Sequence, residues 1–139
     1  PVYQAGTLSG NPVAMAAGLA ILHTLNDNPK IYEELEKNTT KIVEGLRKSL
    51  KELGLNYTIN HIGSMYSLFF TDQEVIDFDT AKSCDTALFG KFFQAMLHEG
   101  IYLPPSQFES LFISTEISGE TLDHLVASNH KVLKALHNL

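Results

Sequence analysis

Apolar residues recur along this chain in three rhythms, and each rhythm predicts an element. From Pro12 to about Leu25, Val13, Ala14, Met15, Ala16, Ala17, Leu19, Ala20, Ile21 and Leu22 are apolar nearly all round, which predicts a helix buried on several sides. Asn26-Asp27-Asn28-Pro29 breaks it. From Ile31 to Leu53 a helical stripe of Ile31, Leu35, Ile42, Leu46, Leu50 and Leu53 stands opposite Glu33, Glu34, Lys37, Lys41, Glu44, Lys48 and Lys51. Gly54 is placed to end that helix. Strand-like runs follow at Asn56 to Ile62 and Met65 to Phe70, joined by a tight connection at Gly63-Ser64. Thr71 to Ser83 reads as a loop with some order around Val75-Ile76.

Helical spacing returns from Asp85 to Glu99, with Leu88, Phe89, Phe92, Phe93, Met96 and Leu97 as the core face and Gly100 as the stop. Ile101-Tyr102-Leu103 and Leu111-Phe112-Ile113-Ser114 read as short strands flanking Pro104 to Glu109. A last helix is expected from Gly119, capped by Ser118, to Leu136, with Leu122, Leu125, Val126, Val132, Leu133 and Leu136 inward. This order predicts an α+β fold, a small, mostly antiparallel sheet with helices packed on one face. There is no internal repeat, and a linker fits only near residues 26 to 30.

Composition narrows the partners. The 139 residues, 44% apolar and 19% charged, suit one ordered domain with a real core. A net charge of -6, with Arg47 as the only arginine, argues against a nucleic-acid surface. No run approaches the roughly 20 apolar residues of a membrane span. The single cysteine, Cys84, excludes an internal disulfide and fits a reducing, cytoplasmic compartment. The chain opens at Pro1-Val2-Tyr3 without an initiator methionine, so a longer parent is expected.

The densest local signal is Thr7-Leu8-Ser9-Gly10-Asn11-Pro12. Small residues tighten a turn, proline opens a helix, and the helix start is expected to aim several unbonded N–H groups, with the Thr7 and Ser9 hydroxyls, at an anion such as phosphate. The same residues also suit a plain helix start. Six histidines show no zinc-ligand pairing with Cys84, and only His61, beside Gly63, reads as a cleft residue. Cys84 lacks a base that would activate it. Asp72, Glu74, Asp77 and Asp79 read as solvated charge, and no metal site is expected. Two prolines stiffen Pro104 to Glu109 and hold Ser106, Gln107 and Glu109 in place, as a ligand-facing loop or as a rigid turn. None of the nine lysines sits on a short turn after a predicted strand, so the chain shows an anion turn without a nucleophile or base.

Tyr3 to Gly18 resembles a segment of the class III pyridoxal-phosphate aminotransferases, closest to their aminomutase branch. Asn60 to Met65 with Phe69 to Asp72, Phe92-Phe93 with Met96 to Leu103, and Pro105 to Glu109 agree in order, so the likeness spans essentially the whole chain. It implies the C-terminal portion of a fold-type-I enzyme. Residues 1–29 would be a phosphate-binding turn and buried helix closing the large domain, and residues 30–139 the small domain, reached through a long interdomain helix. It further implies that Gly6 and Thr7 bind the phosphate of pyridoxal 5'-phosphate held by the neighbouring subunit of a homodimer. Glu109 would lie near the substrate channel. The Schiff-base lysine would lie upstream of Pro1, leaving no catalytic residue in this stretch and an isolated chain without activity. The implied reaction turns glutamate 1-semialdehyde into 5-aminolevulinate for tetrapyrrole synthesis. Two departures stand out: Gly63-Ser64-Met65 replaces the family's Gly-Gly-Met, and Thr115 to Ser118 replaces a small residue followed by His-Ser. The competing expectations are another class III enzyme acting on an ω-amino donor and a non-catalytic α+β binding or dimerisation module.

Overall fold

A computed structural model describes residues 5–137. Its elements are α1 (Pro12–Asp27), α2 (Lys30–Leu53), β1 (Thr58–Ile62), β2 (Met65–Phe69), α3 (Phe78–Ala81), α4 (Thr86–His98), β3 (Leu111–Phe112) and α5 (Gly119–His137). The sheet runs β1-β2-β3 and is antiparallel throughout.

The core forms where α2 packs between α5 and the sheet. Ile42, Val43 and Leu46 of α2 meet Leu122, Leu125, Val132 and Leu133 of α5, and Phe92 and Met96 of α4 complete the layer. The helices approach so closely that a Cβ on Gly45 would stand 2.6 Å from Val126 Cγ1. Gly54, at φ 68°, ends α2 by donating to the Leu50 and Lys51 carbonyls. Asp85 caps α4 by accepting the Leu88 N–H at 2.8 Å.

β1 and β2 form the expected hairpin, with Ile62 opposite Met65 across Gly63-Ser64 and Gly63 at φ 53°. Side chains alternate across β2: Tyr66, Leu68 and Phe70 face the helices, while Phe69 joins Val75, Ala81 and Cys84 on the other side. The helices thus cover one face of an α+β sheet, and α3 covers part of the second.

Several expectations need correction. α1 forms from Pro12 but buries none of its residues, because the core is complete without it: Val13 and Leu22 are 77% and 65% exposed. Ile101 to Leu103 is not a strand, since the Ile101 N–H turns back to the Met96 carbonyl at 3.0 Å and closes α4. The strand expected over Leu111 to Ser114 is confined to two residues. Leu97, placed on the core face of α4, is 44% exposed. The expected loop before Cys84 contains α3, opened by a reciprocal cap between Asp77 and Thr80.

Candidate functional site

The turn before α1 is closed by two backbone bonds, from the Ser9 N–H to the Gly6 carbonyl and from the Asn11 N–H to the Leu8 carbonyl, both 3.0 Å. Gly10 supplies the positive φ, 77°, that the turn requires. Asn11 then caps the helix: its Oδ1 accepts the N–H groups of Val13 at 3.0 Å and Ala14 at 3.1 Å, and its carbonyl accepts that of Met15 at 2.9 Å. Pro12 has no N–H to offer. The helix start therefore does not aim unbonded amides outward, contrary to the sequence-based expectation, because asparagine at this position captures them itself. The open donors lie just upstream. Gly6 and Thr7 are exposed, and among the described residues their N–H groups and the Thr7 hydroxyl have no partner. Exposed N–H and O–H donors in a glycine turn are chemically suited to an anion. Tyr3 and Gln4, from the same motif, lie outside the described residues.

A second feature forms around Pro104 to Glu109, where the chain turns beside the free edge of β2. The Glu109 N–H donates to the Ser106 carbonyl at 3.2 Å, which folds residues 106–109 into a tight turn. Gln107 is buried, and its Nε2 donates to the Leu68 carbonyl at 2.9 Å. Phe108 points the other way, its ring edge-on to Phe78 with centroids 5.6 Å apart. Glu109 is exposed and lies on the wall shared by two hollows. The inner one is a cavity of about 20 Å³ between α2, α4 and the turn, with Tyr66, Gln107 and Asn129 among its lining. The outer one is an open groove of about 650 Å³ whose lining is largely apolar, with Glu109 as its one charged group.

Electrostatics separates these groups. Burial holds the Tyr66 phenol well above its ordinary value, so it stays a neutral hydroxyl beside both hollows. Gln107 Oε1 is buried without a hydrogen-bond partner among the described residues, and such an orphan acceptor costs about 1–3 kcal/mol. Burial also pushes the Cys84 thiol up, in keeping with an unreactive side chain.

The two features are not brought together: no described hollow is lined by both Gly6 or Thr7 and Glu109. His61 is exposed on β1 opposite Tyr66 and lines neither hollow beside Glu109, so the cleft role expected for it is not met. All nine lysines are exposed. Among the described residues no three His, Cys, Asp or Glu side chains gather as a metal site, and no helix is long and apolar enough to cross a membrane. Tyr66 and Asn129 went unnoticed as lining residues. Tyr66 alternates with Leu68 and Phe70 and so reads as ordinary core, and Asn129 reaches the cavity only through the packing of α5.

The same motifs and the same fold recur in known proteins. The family model described as aminotransferase class-III matches residues 1–132. The chain belongs to the class-III aminotransferases. A glutamate-1-semialdehyde 2,1-aminomutase from Cytophaga hutchinsonii is 52% identical over 138 residues, covering 99% of this chain and 32% of that protein. One from Chloroherpeton thalassium is 54% identical over 134 residues, covering 96% and 31%. The chain thus spans about a third of the length of the curated relatives it matches. Among solved structures, an omega-transaminase from Sphaerobacter thermophilus superposes with a TM-score of 0.78 at 20% identity, over 97% of this chain and 30% of that one. A transaminase with PLP bound gives 0.77 at 23% identity, over 99% and 30%. At these identities the likeness is one of fold: the three-stranded sheet and its helices recur in both.

Proposed function

We propose that this class-III chain is the C-terminal portion of a pyridoxal-phosphate-dependent aminomutase that converts glutamate 1-semialdehyde into 5-aminolevulinate in the cytoplasm. The observation that carries the reading is identity of about half, over nearly the whole chain, to relatives bearing that activity as their name. Residues 1–29 then close the large domain, and residues 30–139 form the small one. The parent acts as a homodimer.

The coenzyme supplies an electron sink for moving an amino group between adjacent carbons. The residues here bind and shape. The N–H groups of Gly6 and Thr7 and the Thr7 hydroxyl hold the phosphate of the neighbouring subunit's coenzyme, for which the exposed donor set of that turn is chemically suited. Glu109 supplies a fixed negative charge at the groove, suited to the substrate's amine, while the apolar lining around it limits water. The amine that carries the coenzyme comes from elsewhere in the parent, in keeping with nine lysines that all face solvent. The ω-amino donor alternative is less well supported, because enzymes of that kind commonly bind a substrate carboxylate with an arginine in this domain, where the only arginine, Arg47, is exposed on α2, and because the relatives at about half identity are named as aminomutases.

The test uses the full-length parent. Purified protein should form 5-aminolevulinate from glutamate 1-semialdehyde and show the coenzyme's visible absorbance, and Thr7→Ala should weaken coenzyme retention about tenfold, the loss of the one charge-assisted hydrogen bond that the hydroxyl donates. A parent that only transfers amino groups between separate molecules would defeat the aminomutase reading.

A further inference from the structure

The free edge of β2 calls for an explanation. β3 pairs with it only at Met65–Phe112 and Tyr66–Leu111. One step on, the hydroxyls of Ser67 and Ser110 are 3.5 Å apart, and at Leu68 a side chain has taken the place of a strand: the Gln107 amide occupies the carbonyl that a longer β3 would have paired. That bond ties the Ser106–Glu109 turn to the sheet from inside, while the Phe108–Phe78 contact holds it from outside. Between the two ties and the groove stands Glu109.

Gln107 is a poor choice for packing alone. Only 5% exposed, it lines a cavity with room for about one water and leaves its Oε1 without a partner among the described residues. A methionine would fill the same volume without an orphaned acceptor. What the amide adds is a directional tie, its Nε2 donating to the Leu68 carbonyl at 2.9 Å and so joining the turn to β2.

We propose that Gln107 is a positioning residue for Glu109: its bond to Leu68 seats the turn against β2 and thereby fixes the Glu109 carboxylate on the groove rim, where it meets the amine of a small amino-oxo substrate. The inference rests on the reading of Glu109 given above.

The experiment is a double-mutant cycle in the full-length, coenzyme-loaded protein, with Gln107→Met, Glu109→Gln and the pair. Each single change raises KM for glutamate 1-semialdehyde about tenfold and moves kcat less than about twofold, and the pair is no worse than Glu109→Gln alone, because both act on one contact. The melting temperature of Gln107→Met stays within about 3 °C of the parent, so that the rise in KM is not a loss of the fold. Losses that multiply in the pair, or an unchanged KM in Gln107→Met, overturn the positioning role and leave Glu109 in place. An unchanged KM in Glu109→Gln overturns both readings. Should Gln107→Met lose its fold, Gln107→Glu carries the test: protonated it still donates to Leu68, so its KM relative to the parent rises from about one as pH increases and the acid ionises. A ratio that does not change with pH overturns the proposal.

Discussion

Asp77 is tied to one neighbour through both its side chain and its backbone. Its Oδ1 accepts the Thr80 N–H and the Thr80 hydroxyl, each at 2.8 Å, and the Thr80 oxygen accepts the Asp77 N–H at 3.1 Å. Those bonds, led by the backbone N–H, hold the Asp77 carboxyl below its ordinary value of 3.8. A folded value below the unfolded one means the stabilisation is complete above the unfolded value and disappears as pH falls through the folded one. Asp77→Ala should therefore lower the melting temperature at pH 7, with the difference shrinking towards pH 3 in thermal melts. Cys84 gives a second expectation at this scale. Buried among Phe69, Val75 and Ala81, with its thiol pushed up by desolvation, it should resist thiol-labelling reagents at neutral pH and react at the rate of a free thiol once denaturant is added. Single residues differ in how far they can be read from the sequence. Thr7 could be singled out because turn chemistry is local, whereas Gly6 and the channel role of Glu109 came from the family resemblance. The role of Gln107 could not, since its partner Leu68 lies 39 positions away and is supplied only by folding.

Elements were legible where a long period or a cap announced them. α2, α4, α5 and the β1–β2 hairpin carry unambiguous spacing with glycine or aspartate at an end, and they form within a few residues of expectation. α3 was missed because four residues hold no period, although Asp77 and Thr80 are a readable cap. Ile101 to Leu103 misled because three apolar residues look like a strand until the N–H of the first is drawn into closing α4. Gly45 also went unread, for a glycine inside a helix signals only weakness until its neighbour is known. Its neighbour is Val126 of α5, so Gly45→Ala improves helix propensity by about 0.5–1 kcal/mol and sets that against overpacking of about 1–3 kcal/mol. Chemical denaturation should find Gly45→Ala less stable by about 1 kcal/mol, with Val126→Ala in the same chain recovering most of the loss. A Gly45→Ala variant more stable than its parent would show that the α2–α5 spacing yields freely.

At the scale of the whole molecule, α1 separates what apolar composition says from what it leaves out. Continuous apolar residues announced that the helix would be covered, yet nothing in the composition could say that the cover is not in this chain. With no residue of α1 buried, a chain of residues 30–139 should retain the melting temperature of residues 1–139 within about 2 °C, and by light scattering it should associate less, having lost the exposed Val13, Met15, Leu19 and Leu22. A large fall in stability would instead place α1 within the cooperative unit. The pairing of α2 with α5 has a further consequence, in time rather than in space. α5 is the last of the described elements to leave the ribosome, and until it does Ile42, Val43 and Leu46 have no lid. The hairpin and α4 can gather early, but the domain must wait for its final helix, so a nonsense codon anywhere before Gly119 would hand the cell's proteases an open substrate.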